Sequence, residues 1–195
     1  MSESIGRKAI SHERIIEAAS RDLRRSGFEG VNVAAVMKTA GLTHGGFYAH
    51  FDSRDALLSE AILRASENAA EAIKAHVDSL QQAGASPFKA FVEAYLSAAH
   101  VQDCASGCPV AALCSDMPLQ AAEVVDTARI AIGNLRRLVL QFLPRDLPRD
   151  TAWTVASTLI GAVQLARALG DTPPARAVIA ATKRDLLERY DLRSR

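Results

Sequence analysis

The sequence has few aromatic residues and no excess of charge of either sign. Aromatic residues make up 5% of the 195 positions, whereas 49% are hydrophobic. This composition favours helices, because aromatic side chains are among those that favour strands. The formal net charge is +1, and residues 1–52 carry seven basic and six acidic side chains. No overall basic field therefore indicates a nucleic-acid partner, and a DNA-binding function has to rest on a motif.

Cysteines and long apolar runs are also scarce. Three cysteines, an odd number, argue against a disulfide framework and suit a reducing compartment. Residues 1–8 are polar and do not form a signal peptide. The longest apolar-rich run, residues 151–166, contains Thr and Ser and is shorter than a membrane span. We therefore expect a cytoplasmic protein with no membrane partner.

The apolar periodicity and the breaker residues predict an all-α chain of about nine helices. The predicted helices span residues 11–26, 32–39, 43–50, 53–82, 86–101, a short segment ending at 115, 118–142, 148–169 and 172–190. Three helices form an N-terminal head, residues 1–52, and the others form a helical bundle, residues 53–195. Because a long helix begins at Ser53, a rigid element rather than a linker joins the two parts.

A helix-turn-helix is predicted over residues 40–51, which read Ala-Gly-Leu-Thr-His-Gly-Gly-Phe-Tyr-Ala-His-Phe. Gly41 suits the tight turn because it accepts a positive φ without a Cβ clash. Thr43 is a candidate N-cap for the second helix. His44 lies at the exposed start of that helix, from which a side chain can reach a base edge in the major groove. Phe47 and Phe51 lie four residues apart and should point into the head.

These residues resemble the tetracycline-repressor (TetR/AcrR) family of bacterial transcription factors. The resemblance rests on residues 33–58, above all residues 40–43, 47–51 and 53–58, and extends more loosely to residues 15–19 and 27–28. The rest of the chain matches in length and helical character. Met37 departs from the family, which usually has a small Ala at this position.

The resemblance implies a set of DNA-binding residues, namely Thr43, His44, Gly45, Tyr48, His50 and Arg54. Thr43, Tyr48 and His50 can donate to phosphates, and Arg54 is a candidate phosphate clamp near a helix start. The alternative for Tyr48 is a half-buried ring that seals the head, and the alternative for His50 is local packing. The DNA partner implied is a palindromic double-stranded operator.

All three cysteines lie within residues 104–114. Cys108 directly precedes a predicted helix, where the helix dipole favours a thiolate, and is therefore a candidate sensor thiol for oxidants or electrophiles. Cys104 and Cys114 are interpreted as small buried hydrophobic residues. Metal binding is disfavoured because Gly107 and Pro109 interrupt the four-residue spacing from His100. A thiol enzyme that pairs Cys108 with His100 is the most distant alternative, because no third residue orients the pair.

An effector site in the bundle is implied by the resemblance. Its candidate lining residues, each also explained by core packing, are Tyr95, His100, Met117 and Trp153. Few ionisable residues fall on apolar helix faces, which favours a hydrophobic or aromatic effector. No cofactor and no metal are expected.

The last two long helices predict a homodimer. Their apolar faces carry the candidate interface residues Leu159, Ile160, Val163, Ala166, Val178 and Ile179. Two helices from each subunit would form a four-helix bundle, although the same pattern also describes a bundle within one chain.

Together these features predict a ligand-responsive repressor that is released from its operator by a small molecule, and not an enzyme. The same parts can also build an activator, and the near-neutral charge disfavours an architectural DNA binder.

Overall fold

The computed structural model describes residues 2–191, and the side chains of residues 6–191. Over these residues the chain forms nine α-helices and no strand, which confirms the all-α prediction. The helices are α1 (Ser2–Gly30), α2 (Val33–Thr39), α3 (Arg54–Gln82), α4 (Pro87–Tyr95), α5 (Ala98–Gln102), α6 (Pro109–Leu113), α7 (Ala122–Phe142), α8 (Thr151–Leu169) and α9 (Pro173–Tyr190). Two short 3₁₀ helices, His44–Ala49 and Met117–Leu119, complete the secondary structure.

Polar side chains cap five of the helices, four of them at positions that the sequence predicted. The side chains of Asn32, Ser53, Ser86 and Thr172 each accept a hydrogen bond from the amide three residues further on. These bonds satisfy amides that have no partner inside the helix. They begin α2, α3, α4 and α9 at the positions that the sequence predicted.

Several helix boundaries differ from the prediction. Gly27, at φ +72°, kinks α1 instead of ending it, and the chain continues for almost one turn to Gly30. The predicted helix over residues 86–101 is divided into α4 and α5, because Ser97 accepts from the amide of His100 and starts a new helix there. The helix expected from residue 118 begins at Ala122, after the 3₁₀ helix, and the one expected from residue 148 begins at Thr151.

The long helix α3 lies against both parts of the molecule. It packs on α1, α4, α6 and α7, while α8 packs on α9, α7, α6 and α5. Buried side chains run from Ile15 in α1 through Leu58 and Ile62 in α3 to Val139 in α7 as one hydrophobic core. The head is therefore attached to the bundle through packed side chains as well as through the chain itself.

Helix α8 has 19 residues, more than the run of 16 considered in the sequence, and is apolar enough to match a membrane span by length and composition alone. One side of it is buried inside the chain, including Ala152, Val155, Leu159 and Val163. It is the only helix of this kind among the described residues.

Candidate DNA-binding surface and effector site

The turn of the helix-turn-helix depends on Gly41. Its φ is +73°, a conformation that side-chain-bearing residues rarely adopt. A Cβ at this position would also lie 2.6 Å from the Arg14 guanidinium. The amide of Leu42 donates to the carbonyl of Met37 at 2.9 Å and closes the turn. The backbone conformation therefore requires glycine, whereas the exposed Arg14 side chain can move to make room for a Cβ.

An aromatic layer fixes the recognition segment on the head. Phe47 and Phe51 are buried, and their stacked rings lie 5.6 Å apart. His12 of α1 stacks on Phe51 at 4.6 Å, and its Nε2 atom lies 2.8 Å from a carboxylate oxygen of Glu60 in α3. Met37 is fully buried and fits against Gly46, where a Cβ would lie 3.7 Å from its terminal methyl group. This distance is an ordinary van der Waals contact, so Met37 packs beside Gly46 and still leaves room for a methyl group there.

Four of the six predicted DNA-binding residues lie on the outer face of this segment. Thr43, His44 and Gly45 are exposed, and the Tyr48 ring is 74% exposed. Thr43 directly precedes the segment, but its side chain makes no capping hydrogen bond. The predicted side-chain cap is therefore wrong, and the segment that follows is a 3₁₀ helix. The Tyr48 ring is too exposed to seal the head. Together these residues form one solvent-facing surface, and its contact with DNA stays a prediction.

His50 and Arg54 are engaged within the head. His50 is half-buried with its ring 5.9 Å from that of His12, and burial together with the nearby His12 and Lys8 lowers its pKa. The Arg54 guanidinium donates to the carbonyl of Phe28 and, at 3.4 Å, to that of Val31. Arg54 therefore ties the start of α3 to the end of α1 and to the residue that follows it.

A groove of about 680 Å³ lies between α5, α8 and the first half of α9. Its apolar lining includes Leu96, Val101, Ala166, Ala175 and Ile179. Its polar lining includes Gln102, Cys104, Arg167, Asp171, Arg176 and Lys183. A volume of this size is typical of small-molecule sites, in which an apolar wall and a few polar groups orient the ligand.

None of the four predicted effector residues lines this groove. Tyr95 and His100 contact each other, with ring centroids 4.6 Å apart. Met117 is buried in the core. Trp153 is 46% exposed on α8, and the Arg136 guanidinium lies 5.2 Å from the centre of its ring. Their role in binding an effector therefore stays a prediction that this groove does not support.

Both ring nitrogens of His100 are bound to the main chain. Nδ1 lies 2.6 Å from the carbonyl oxygen of Tyr95, and Nε2 accepts from the amide of Cys108 at 2.9 Å. The ring must be neutral to accept at Nε2, and burial lowers the pKa of His100 to about 4. Burial, with the adjacent Cys108 thiol, raises the pKa of the Tyr95 hydroxyl well above its usual value. His100 thus holds the 103–108 loop in place and has no nitrogen available to activate a thiol.

The three cysteines have the opposite exposures to those the sequence suggested. Cys108 is only 4% exposed, whereas Cys104 and Cys114 are half-buried and Cys104 lines the groove. A cavity beside Cys108, between α3, α6 and α7, has a volume of about 30 Å³ and is too small for an organic effector. Among the described residues, no group of three His, Cys, Asp or Glu side chains could hold a metal ion.

The predicted interface residues are only partly accessible. Leu159, Val163 and Ala166 are buried within their own chain, while Ile160, Val178 and Ile179 are half-buried. The periodicity of α8 fits two helix faces, and only the fold decides which of them packs inside the chain. The outer face of α8 carries Trp153, Ser157, Leu165, Ala168 and Leu169.

Two arginines that the sequence analysis did not single out hold α5 and the loop that follows it. Arg24 of α1 donates to the carbonyl of Gly107 at 3.2 Å and is 4% exposed. Arg167 of α8 donates to the carbonyls of His100 and Val101 at 3.1 Å and 3.0 Å. The signal in the sequence that could have identified them is that each directly follows a buried apolar residue, Leu23 before Arg24 and Ala166 before Arg167.

A helix-turn-helix head packed on a helical bundle defines a DNA-binding transcriptional regulator. Residues 15–61 match the family model described as bacterial regulatory proteins, tetR family. An HTH-type transcriptional regulator of Mycobacterium tuberculosis is 27% identical over 198 residues, covering 94% of this chain and 97% of the relative. Residues 15–61 therefore carry the DNA-binding region of the tetR family, and the chain is similar over almost its whole length to HTH-type transcriptional regulators.

Solved structures share the fold over almost the whole chain. A TetR-family regulator from Cytophaga hutchinsonii has a TM-score of 0.74 at 19% identity and covers 94% of this chain and 96% of its own. A TetR regulator from Chloroflexus aurantiacus has a TM-score of 0.72 at 21% identity, with 94% and 98% covered. The reduced form of NemR from E. coli has a TM-score of 0.69 at 17% identity, with 89% and 95% covered.

Proposed function

We propose that this regulator is a cytoplasmic homodimeric repressor, and that a small, largely apolar molecule releases it from a palindromic operator. The observation that carries the proposal is the groove of about 680 Å³ between α5, α8 and α9. Its lining joins apolar side chains to a few charged ones, as in sites for small organic ligands. Residues 1–52 form the DNA-binding part and residues 53–195 the part that binds the effector and dimerises.

DNA recognition is assigned to the exposed surface made by Thr43, His44, Gly45 and Tyr48. His44 reads a base edge, while Thr43 and Tyr48 contact phosphates. The recognition segment is supported from below by Phe47 and Phe51, so its outer side chains are presented from a rigid base.

Dimerisation is assigned to the outer face of α8, together with the exposed positions of α9. Leu165 is 57% exposed, Leu169 is 42% exposed and Trp153 is 46% exposed along one side of α8. Ala177 and Ala181 add small exposed side chains on α9, which allow two helices to approach closely. Two such faces related by a twofold axis would bring the heads to successive major grooves.

Thiol sensing at Cys108 is the second candidate function. NemR, one of the fold neighbours, is described in a reduced form, which names a redox state for that protein. Sensing requires an accessible thiolate, whereas the side chain of Cys108 is almost fully buried. The groove therefore supports an effector better than the cysteine supports a redox switch.

The experiment that tests the function is selection of operator sequences followed by transcription in vitro. The purified protein is used to enrich duplexes from a random library, and an enriched duplex is then placed across a promoter. We expect an inverted repeat to be enriched and transcription to fall when the protein is added. Enrichment of no sequence would contradict specific DNA binding, and a rise in transcription would make the protein an activator.

A further inference from the structure

The α5/α8/α9 groove has an uneven distribution of charge. Arg176 pairs with Asp171 at 2.6 Å, and Lys183 pairs with Glu93 at 2.5 Å. Arg167, in contrast, forms no ion pair among the described residues, and its partners are the neutral carbonyl oxygens of His100 and Val101. Its positive charge is therefore the one in the groove that no carboxylate of the described residues balances.

We propose that the groove binds a small apolar molecule with one anionic group, and that this group pairs with the Arg167 guanidinium. An anionic acceptor bonds a guanidinium more strongly than a neutral carbonyl does, so the ligand competes for Arg167 with α5. The apolar part of the ligand lies against Val101, Ala166 and Ile179. The release of DNA by this ligand rests on the proposed function, whereas the binding of the ligand does not.

The position of Gly107 provides a route from the groove to the head. A Cβ on Gly107 would lie 2.5 Å from Nη2 of Arg167, so this guanidinium lies directly against the Gly107 backbone. The Gly107 carbonyl on the same peptide accepts from Arg24 of α1 at 3.2 Å. The Gly107 backbone thus lies between two guanidinium groups, one from the head and one from the groove.

Ligand binding at Arg167 therefore weakens the contact between α1 and the 103–108 loop. When Arg167 turns toward the anion, the carbonyls of His100 and Val101 lose their donor and α5 is free to shift. The loop that follows α5 carries the Gly107 carbonyl away from Arg24. Because Arg24 is buried, it must find another acceptor, and the packing of the head on the bundle changes.

Binding is tested without DNA, using two matched sets of compounds. Each set shares one apolar body, octyl or 4-phenylbutyl, and carries a carboxylate, a hydroxyl or an amine. Calorimetry should show the carboxylate binding about tenfold or more tightly than the alcohol in at least one set, with the amine weakest. Equal affinity of carboxylate and alcohol in both sets, or no binding of any compound at millimolar concentration, would overturn the proposal.

The residue assignment is tested with Arg167→Gln. This variant should bind the alcohol as the wild type does and lose the preference for the carboxylate. Arg129→Gln, an exposed arginine of α7, is the matched control and should keep the preference. A preference that survives Arg167→Gln would overturn the role of Arg167.

A second pair of variants keeps the test valid even if Arg167→Gln does not fold. Ala180→Glu adds a negative charge at an exposed position that lines the groove, whereas Ala75→Glu adds the same charge at an exposed position of α3 that does not line it. Ala180→Glu should weaken carboxylate binding and Ala75→Glu should leave it almost unchanged. Equal effects of the two variants would place the anion elsewhere.

The connection to DNA is tested with Arg24→Gln. The carboxylate should weaken operator binding of the wild type by about tenfold, and Arg24→Gln should bind the carboxylate normally but show a much smaller loss. If the wild type binds both DNA and carboxylate without mutual effect, the Gly107 route is wrong. If it enriches no DNA sequence, the proposed function fails while the groove assignment is judged by calorimetry alone.

Discussion

Arg24 in α1 donates to the carbonyl oxygen of Gly107 at 3.2 Å across 83 positions of the sequence. The same guanidinium also donates to Ser20 within α1, at 3.0 Å. Burial lowers the pKa of Arg24, and the coulombic effect of Glu17 and Asp103 opposes this. The buried Arg24 cation thus bonds to carbonyls of both α1 and the loop between α5 and α6. The orientation of the head on the bundle therefore depends on this loop.

His44→Ala should relax operator specificity at one base position. His44 is exposed at the start of the recognition segment, and loss of a base-edge contact typically costs about 1–3 kcal/mol of discrimination. The measurement is fluorescence anisotropy on the selected operator and on its single-base variants. Wild-type affinity and an unchanged base preference would exclude His44 as the reader.

Arg54→Ala should destabilise the head. Its guanidinium donates to the carbonyls of Phe28 and Val31, and removing donors from partly buried carbonyls costs about 1–3 kcal/mol. Chemical denaturation measures this loss, with the exposed Arg25→Ala as the control. An unchanged midpoint would contradict the structural role. If Arg54 also contacts a DNA phosphate, as the family resemblance implies, Arg54→Ala should reduce the slope of log affinity against log salt concentration by about 1.

Leu165→Arg should split the dimer without unfolding the subunit. Leu165 is 57% exposed on the outer face of α8, whereas Val163 is fully buried in the core. Val163→Arg should therefore unfold the subunit instead, because it buries an unpaired charge. Sedimentation velocity and thermal melting distinguish the two outcomes. A dimer that persists in Leu165→Arg but dissociates in Leu119→Arg, where the replaced side chain is exposed outside α8, would move the interface.

The free energy of unfolding should fall as the pH is lowered from about 7 to about 5. The pKa of His100 is lowered from 6.5 to about 4 in the folded protein, so the unfolded chain takes up a proton over this range while the folded protein does not. The expected loss is about 2 kcal/mol near pH 5. His50, whose pKa is also lowered, adds to the slope in the same direction.

His100→Gln is the variant that isolates this effect. It should remove most of the pH dependence of urea denaturation, because a glutamine does not titrate. His76→Gln changes an exposed residue of α3 and serves as the control. A pH slope that is identical in His100→Gln and the wild type would show that His100 does not remain neutral in the folded state.

Iodoacetamide should alkylate Cys104 and Cys114 faster than Cys108. The first two are half-buried, while the third is 4% exposed and lies behind His100. Peptide mass spectrometry at several reaction times gives the three rates, and the protein unfolded in urea provides the reference without burial. Faster labelling of Cys108 in the native protein would support the sensor function instead.

The helix-turn-helix and the starts of α2, α3, α4 and α9 could be predicted from the sequence because their signals are local. Gly41 specifies a turn through its own φ, and Asn32, Ser53 and Ser86 each bond to an amide three residues away. The division of residues 86–101 at Ser97 was missed, since a serine inside an apolar helical pattern is compatible with either outcome. The recognition segment was placed correctly, but its 3₁₀ form was not predicted.

The effector site and the dimer face depended on which side of each helix packs inside the chain. Leu159 and Val163 satisfy the apolar pattern of an interface, and so do Trp153 and Leu165 on the other side of α8. Only the packing of α8 on α6, α7 and α9 assigns the first pair to the core and leaves the second pair exposed. The same packing opens the groove beside Arg167 and not beside Trp153.

The sequence by itself determined the all-helical fold and the position of the helix-turn-helix, because these follow from helix propensity, capping and a contiguous motif. Tertiary structure alone decided the groove, the exposures of the three cysteines and the contact of Arg24 and Arg167 with the 100–107 segment. Those features join residues that are more than 60 positions apart, such as Arg167 with Val101 and Arg24 with Gly107. The physical reason is that a single sequence encodes which residues are apolar or charged, whereas contact between distant residues is set only when the helices pack.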